Sequence, residues 1–469
     1  MSKVLANDLS WAGVADIAKA VASGETTALN VVDNAFARIE ERNPTLNAFT
    51  AITVERARAK ARAVDATRDK MSLPLAGVPF AVKNLYDIEG LPTVAGSKIN
   101  RAHAPANKDQ PLIERLEAAG AVLVGALNMG EYAYDFTGEN IHDGPSRNPH
   151  DVTRMTGGSS GGSGSAVAGG LVPLALGSDT NGSIRVPSSL CGIFGLKPTY
   201  GRLTRAGSFP FVASLDHLGP FARCTRDLAL SYDAMQGFDA GDAACVDRPA
   251  EPVTPLLERG TGGLRIAVAG GYFRQGASPE ALGALDSVAK ALGAKTSIEI
   301  PEAARARAAA YIITATEGAA LHLERLRHQA RDFDPAVRDR LIAGAMVPST
   351  FVVKAQILRR WYRARVLELF KSYDAILAPA TPVTAPKLGQ QSFILDGVEL
   401  PVRANMGLYT QPISFVGLPV VAVPVPGKPL PIGVQIIAAP WREDIALRIA
   451  FALEKLGAVA APRPKLNGD

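Results

Sequence analysis

The stretch TGGSSGGSGSAVAGGLVPLALGSDTNGSIR, Thr156 to Arg185, decides how this chain is read. Its first part, Gly157 to Gly170, holds seven Gly, four Ser, two Ala and one Val in 14 residues. Such composition is ordinarily that of a flexible linker. Here it runs straight into the apolar Leu171 to Gly177 (LVPLALG) and then Ser178 to Arg185 (SDTNGSIR), without the polar flanks of a linker. A phosphate cradle fails on detail, because a Walker loop ends in Gly-Lys-Ser/Thr and these glycines lead into Ser, Ala and Val. A serine nucleophile is the stronger reading.

Outward from this stretch the texture alternates. Trp11 to Arg42 has apolar residues at helical spacing, with Thr26 and Thr27 as caps before a helix at Ala28 to Ile39. Val54 to Arg68 reads as a solvent-facing helix. Leu75 to Leu85 (LAGVPFAVKNL) reads as a buried strand with a lysine, Lys83, inside it. A helix at Leu112 to Ala119, ended by Gly120, leads to a second buried strand, Ala121 to Leu127. Strand, helix, strand points to α/β layering. Further on, strands are expected at Gly263 to Val268, Tyr373 to Ala378, Val420 to Val425 and Ile432 to Ile437. Helices are expected at Ala281 to Leu292, Ala303 to Gln329 and Asp444 to Leu456. Asp239 to Leu257 reads as a loop between lobes, and one body over 1–469 is the preferred organisation.

Composition narrows the function classes. Of 469 residues 47% are hydrophobic and 20% charged, which is globular rather than disordered. The net charge is only +5, and the basic residues are spread along the chain, so nucleic-acid binding is not indicated, whereas an anionic small substrate is suited. Cys191, Cys224 and Cys245 are odd in number and form no CxxC, which indicates neither a disulfide framework nor a zinc site. Met1 to Gly13 lacks a secretory pattern, and Ala166 to Leu176 is too short and too interrupted to span a bilayer. The expectation is a cytoplasmic protein in a reducing compartment.

A serine nucleophile needs a base. His103, His142, His150, His217, His322 and His328 are each better read as surface or satisfied core; His217 follows Asp216, but adjacent residues on an extended segment point opposite ways. Lys83 has the required character, since burial disfavours the ammonium and leaves an amine that accepts a proton. Its bland alternative is a buried salt bridge.

Three blocks, Gly157-Gly-Ser-Ser-Gly-Gly-Ser163, Gly177-Ser-Asp-Thr-Asn-Gly-Ser-Ile-Arg185 and Cys191-Gly-Ile-Phe-Gly-Leu-Lys-Pro-Thr-Tyr-Gly-Arg202, resemble the amidase signature. The likeness extends upstream through Gly77 to Asn84 and downstream to Ile432 to Gln435, covering most of the chain. It implies an α/β fold with a large mixed central β-sheet covered by helices on both faces. The catalytic core would be about 70–230, with 260–469 completing the sheet and the substrate pocket. It also implies a catalytic set of Ser183 as nucleophile, Ser159 as the cis-serine and Lys83 as base. Ser159 and Ser183 are 24 residues apart, the spacing the family uses, which selects Ser159 over Ser160. A cis peptide at Gly158-Ser159 and an oxyanion hole from the N–H groups of Thr180, Asn181, Gly182 and Ser183 follow from the same resemblance. No metal or cofactor enters this chemistry. Asp179 and Arg185 read as a supporting ion pair, Ser160, Ser163 and Ser165 as braces of the loop, and Cys191 as packing.

Two departures stand out. Asn181 replaces the first glycine of Asp-Thr-Gly-Gly-Ser, either offering an amide to the substrate or merely tolerating a positive-φ backbone. Gly130 stands where relatives commonly carry Asp. Blocks at Val82 to Gly90, Ala95 to Arg101, Ser178 to Pro187 and Ile432 to Trp441 resemble a branch of the family from cyanuric-acid degradation. That likeness implies hydrolysis of the terminal amide of 1-carboxybiuret to urea-1,3-dicarboxylate and ammonia. It further implies a dimer of this chain and a small helical partner subunit similar to the amidotransferase C subunit. Asn181, Arg205 and Tyr311 are candidate substrate contacts, with Arg154 and Arg363 as further cations for a substrate carboxylate. The rival functions are the glutaminase component (A) of a glutamyl-tRNA amidotransferase, another small-amide amidase, and a non-catalytic assembly subunit. Retention of Lys83, Ser159 and Ser183 speaks against the last.

Overall fold

The computed structural model describes residues 9–427 and 429–465. The first eight residues of the Met1 to Gly13 reading lie outside them. The strands in chain order are β1 (Phe49–Ile52), β2 (Pro79–Lys83), β3 (Val122–Leu127), β4 (Arg147–Asn148), β5 (Asp151–Met155), β6 (Leu174–Asp179), β7 (Phe194–Lys197) and β8 (His217–Ala222). They continue with β9 (Ile266–Ala269), β10 (Thr296–Ile298), β11 (Ala375–Pro379), β12 (Ser392–Leu395), β13 (Val398–Pro401), β14 (Val420–Val425) and β15 (Ile432–Ala438).

Eleven of these form one mixed sheet in the order β1-β3-β2-β6-β8-β7-β14-β15-β11-β9-β10. β2 runs parallel to β3 and β6, with Phe80 beside Leu174 and Val82 beside Leu176, while β6 is antiparallel to β8. Every residue of β2, β3, β6, β8, β11 and β15 is buried. Strands covered on both faces read as apolar runs, which is why these are visible in the sequence without alternation. The expected α/β fold with a large mixed sheet and packed helices is the one observed.

Most helices start where the sequence places them. Thr27 caps Ala28–Leu46, its hydroxyl accepting from the Asn30 N–H at 3.1 Å, and Ser278 caps Pro279–Ala291 in the same way. The strand expected from Leu75 begins only at Pro79, because Leu75 to Val78 closes a turn, Val78 N–H to Leu75 C=O at 3.1 Å, with Gly77 at φ +70°. Gly157 to Gly170 is buried throughout and includes the helix Gly161–Ala168. The glycine there answers to space: a Cβ on Gly162 would lie 2.5 Å from the backbone of Asn128 and 2.6 Å from the Ala48 carbonyl. Among the described residues no single helix is long and apolar enough to cross a membrane.

Candidate functional site

The parallel strands β2 and β6 end side by side, at Lys83 and Asp179, and the chemistry gathers at these C-terminal ends, as is general for parallel sheets. Lys83 is fully buried, and its Nζ bonds the hydroxyls of Ser159 at 2.7 Å and Ser178 at 2.8 Å. Burial draws its pKa down to about 7, against the pull of the Asp216, Asp179 and Asp135 carboxylates. None of those three is in direct contact with it, so the buried-salt-bridge alternative is not what forms. The other deeply buried lysine, Lys197, is likewise lowered to about 7, but it donates to the carbonyls of Leu418 and Pro198 and touches no serine hydroxyl.

Ser159 follows a cis Gly158-Ser159 peptide. The loop after it is braced as expected: Ser160 donates to the Ser178 carbonyl, Ser163 to Leu176 and Ser165 to Arg147, at 3.2, 3.0 and 2.8 Å. Thr156 donates to the Gly157 carbonyl at 3.0 Å, within the loop itself.

From β6 the chain turns sharply through Thr180, Asn181, Gly182 and Ser183 into the helix Arg185–Cys191. Asp179 organises the turn. Its Oδ2 accepts from the N–H groups of Ile184 and Arg185 at 3.1 and 3.4 Å, and its Oδ1 from Arg185 Nη2 at 2.9 Å. Both partners are fully buried, and Arg185 also reaches the Thr410 carbonyl and Gln435 Oε1, at 3.0 and 2.7 Å. Gly182 sits at φ +140°, where a Cβ would fall 2.2 Å from Thr410 Oγ1, so the turn closes only on glycine. Asn181 is absent from the positive-φ residues, so backbone tolerance does not account for it. Among the described residues, no hydrogen bond engages the N–H groups of Asn181, Gly182 and Ser183.

Ser183 lines a small cavity together with Thr180, Asn181, Tyr311, Thr314 and Arg340. Tyr311 and Thr314 come from the helix Ala303–Gln329, and Arg340 from Pro335–Ala345. Arg340 is not legible in the sequence: it sits in a helix with no motif, and only folding brings it to Ser183. Its guanidinium lies 3.9 Å from the Tyr134 ring centroid and donates to the carbonyls of Ala336 and Tyr134. Among the described residues no carboxylate is within ion-pair distance of it, and burial pulls its pKa below the ordinary arginine value. Ser178, the second partner of Lys83, lies within a motif block but has no signal of its own there.

The other expected substrate contacts divide. Tyr311 lines the cavity, its hydroxyl donating to the Ala404 carbonyl. Arg205 does not: Asp242 holds it at 2.8 and 2.9 Å, and it lies over the Tyr200 ring. Arg154 is held by Asp151 and the Ala385 carbonyl, and Arg363 lines a separate cleft with Tyr200 and Trp441. No described histidine bonds to Ser159 or Ser183; His217 is buried beside the Asp179 and Leu215 carbonyls and held well below the usual histidine pKa by desolvation. The Cys191 thiol is buried and pushed up. Gly130 makes room for Asp135, since a Cβ there would lie 2.5 Å from the Asp135 Cβ. Asp135 in turn accepts from Thr137 N, Gly138 N and Arg403.

Comparison with known proteins gives the family. The chain is 54% identical to AtzE, the 1-carboxybiuret hydrolase subunit of Pseudomonas sp. (strain ADP), over 94% of this chain and 98% of that one. It is 38% identical to the A component of the glutamyl-tRNA(Gln) amidotransferase of Azotobacter vinelandii, over 94% and 96%. A solved chain described with an s-triazine catabolic enzyme and its vestigial protein complex superposes with a TM-score of 0.95 at 52% identity, covering 96% of this chain and all of that one. Residues 30–447 match the amidase family. With the serine-rich loop, the buried lysine and the turn after β6 all in place, the chain belongs to the amidase signature family and is a hydrolytic amidase.

Proposed function

We propose that Ser183 attacks the terminal amide of a small carboxylated acyl-urea, 1-carboxybiuret, releasing ammonia and leaving urea-1,3-dicarboxylate. The observation that carries the chemistry is the hydrogen bond from the buried, pKa-lowered Lys83 to Ser159. Neutral Lys83 takes the Ser159 proton as Ser159 takes that of Ser183, so the Ser183 oxygen becomes nucleophilic only as it forms its bond to the carbonyl carbon. The free N–H groups of Thr180, Asn181, Gly182 and Ser183 receive the negative charge on the carbonyl oxygen. Collapse breaks the C–N bond, the relayed proton returns to the leaving nitrogen, and ammonia departs. Water then attacks the acyl-enzyme as Ser159 and Lys83 take its proton, and collapse breaks the ester bond and returns that proton to the Ser183 oxygen, releasing the acid.

Arg340 meets the substrate carboxylate. It lines the Ser183 cavity with no carboxylate at ion-pair distance among the described residues, Asp135 on the same wall being paired with Arg403, and the guanidinium protons not given to Ala336 and Tyr134 suit a carboxylate. The choice of 1-carboxybiuret is supported by the 54% identity to a component of a 1-carboxybiuret hydrolase. From the motif blocks of the sequence we also infer a dimer of this chain and a small helical partner, and from its three unclustered cysteines a cytoplasmic setting.

The test is ammonia release by the purified protein, alone and with a candidate small partner, from freshly generated 1-carboxybiuret, biuret, glutamine and malonamate side by side. Selective release from 1-carboxybiuret is expected. Preferential release from glutamine overturns the substrate and favours an amidotransferase component.

A further inference from the structure

Asn181 is held at both ends. Its side-chain Nδ2 donates to Thr314 Oγ1 at 2.8 Å, and its backbone carbonyl accepts from Thr410 Oγ1 at 2.6 Å. With only 6% of the residue exposed, its Oδ1 is buried and has no hydrogen-bond partner. Seven other buried side-chain atoms share that condition among the described residues, including Asn128 Oδ1 and His322 Nε2, yet of all eight only Asn181 lines the Ser183 cavity. Buried polar groups nearly always find a partner, and one left without a protein partner in the cavity of a nucleophile is open to a ligand donor.

A carbonyl oxygen only accepts, so the missing partner is a donor. The amide nitrogen is taken up by Thr314 Oγ1, which leaves the oxygen as the open end. Ser183 is two residues along the same turn and lines the same cavity.

We propose that Asn181 Oδ1 is a specificity-determining acceptor for the N–H that directly adjoins the attacked carbonyl, so that the site selects acyl-ureas, –CO–NH–CO–NH2, over amides with a methylene at that position. This rests on the reading of Ser183 as nucleophile. Glutamine and malonamide place CH2 where an acyl-urea has N–H, and a methylene leaves the Oδ1 as orphaned as before. A site built to accept a substrate N–H rejects the analogue that lacks it more strongly than a hydrophobic pocket rejects a change of size.

The test uses biuret and malonamide, which differ only by N–H against CH2, titrated calorimetrically into the full-length Ser183→Ala protein so that no turnover interferes. Biuret is expected to bind at least roughly tenfold tighter. Asn181→Gly in the same background removes the preference. Thr314→Val, which keeps Asn181 but frees its amide, reduces it, and circular dichroism checks that both variants are folded. Equal affinities in the parent, a preference that survives Asn181→Gly, or no binding of either ligand overturns the proposal. Ammonia release from 1-carboxybiuret by the unmodified protein separates the two readings. Turnover with equal affinities overturns the acceptor alone; a biuret preference without turnover overturns the hydrolytic assignment alone.

Discussion

At the scale of the residue, Lys83 sets the behaviour with pH. The amine must be neutral to accept a proton, and its pKa lies at about 7. The rate is therefore expected to rise with pH through an acid limb centred near 7, measured as kcat/KM for ammonia release. Ser183→Ala and Lys83→Ala are each expected to lose on the order of 10⁴-fold or more in turnover while keeping the circular dichroism of the parent. The same burial has a stability consequence of opposite sense to a salt bridge. Lys83 titrates near 7 when folded and near 10.5 when free, so between those values the unfolded chain binds the extra proton and stability rises with pH. The urea midpoint is expected to climb from pH 7 to pH 9, and less so in Lys83→Met. Lys83, Ser159 and Ser183 are legible in the sequence because each sits in a dense local motif. Ser178, Thr314 and Arg340 are not: Ser178 acts through one contact, and the other two reach the site from helices more than a hundred residues further on.

At the scale of the element, the turn from β6 into Arg185–Cys191 depends on one buried ion pair. Asp179 has its carboxyl held well below the ordinary range: burial alone would raise it, and the Arg185 guanidinium outweighs that. Removing the cation leaves a buried carboxylate unpaired, so Arg185→Met is expected to cost about 3–5 kcal/mol in urea unfolding, far more than an exposed pair would. Strand existence is readable here from apolar runs such as Val122–Leu127, and boundaries are less so. Leu75 to Val78 is as apolar as the strand it precedes, and only the positive φ at Gly77 turns it aside. The glycine-rich loop, by contrast, reads as structured and is so, because its neighbours are apolar on the C-terminal side.

At the scale of the whole molecule, the sheet is built in two halves, β1, β3, β2, β6, β8 and β7 from the first half of the chain and β14, β15, β11, β9 and β10 from the second, which join where β7 pairs with β14. Arg185, in the first half, is held by Thr410 and Gln435 in the second. A single cooperative transition is expected in scanning calorimetry, with calorimetric and van't Hoff enthalpies in agreement. Two resolved transitions would instead divide the chain into separately folding units. A fragment of residues 70–230 is expected to fail to fold, since β7 would expose the edge that β14 covers. The sequence shows an α/β layering but not this seam, because β7 and β14 pair across more than two hundred residues.

The cavity wall supplied by Ala303–Gln329 and Pro335–Ala345 carries a further consequence. Bond breaking is written in residues 83–185, whereas Tyr311, Thr314 and Arg340 are written more than a hundred residues later. Those three side chains are replaceable as one block: recombination that swaps the segment 303–345 between relatives exchanges the wall that faces the ligand, while Asn181 and the hydrolytic apparatus stay behind.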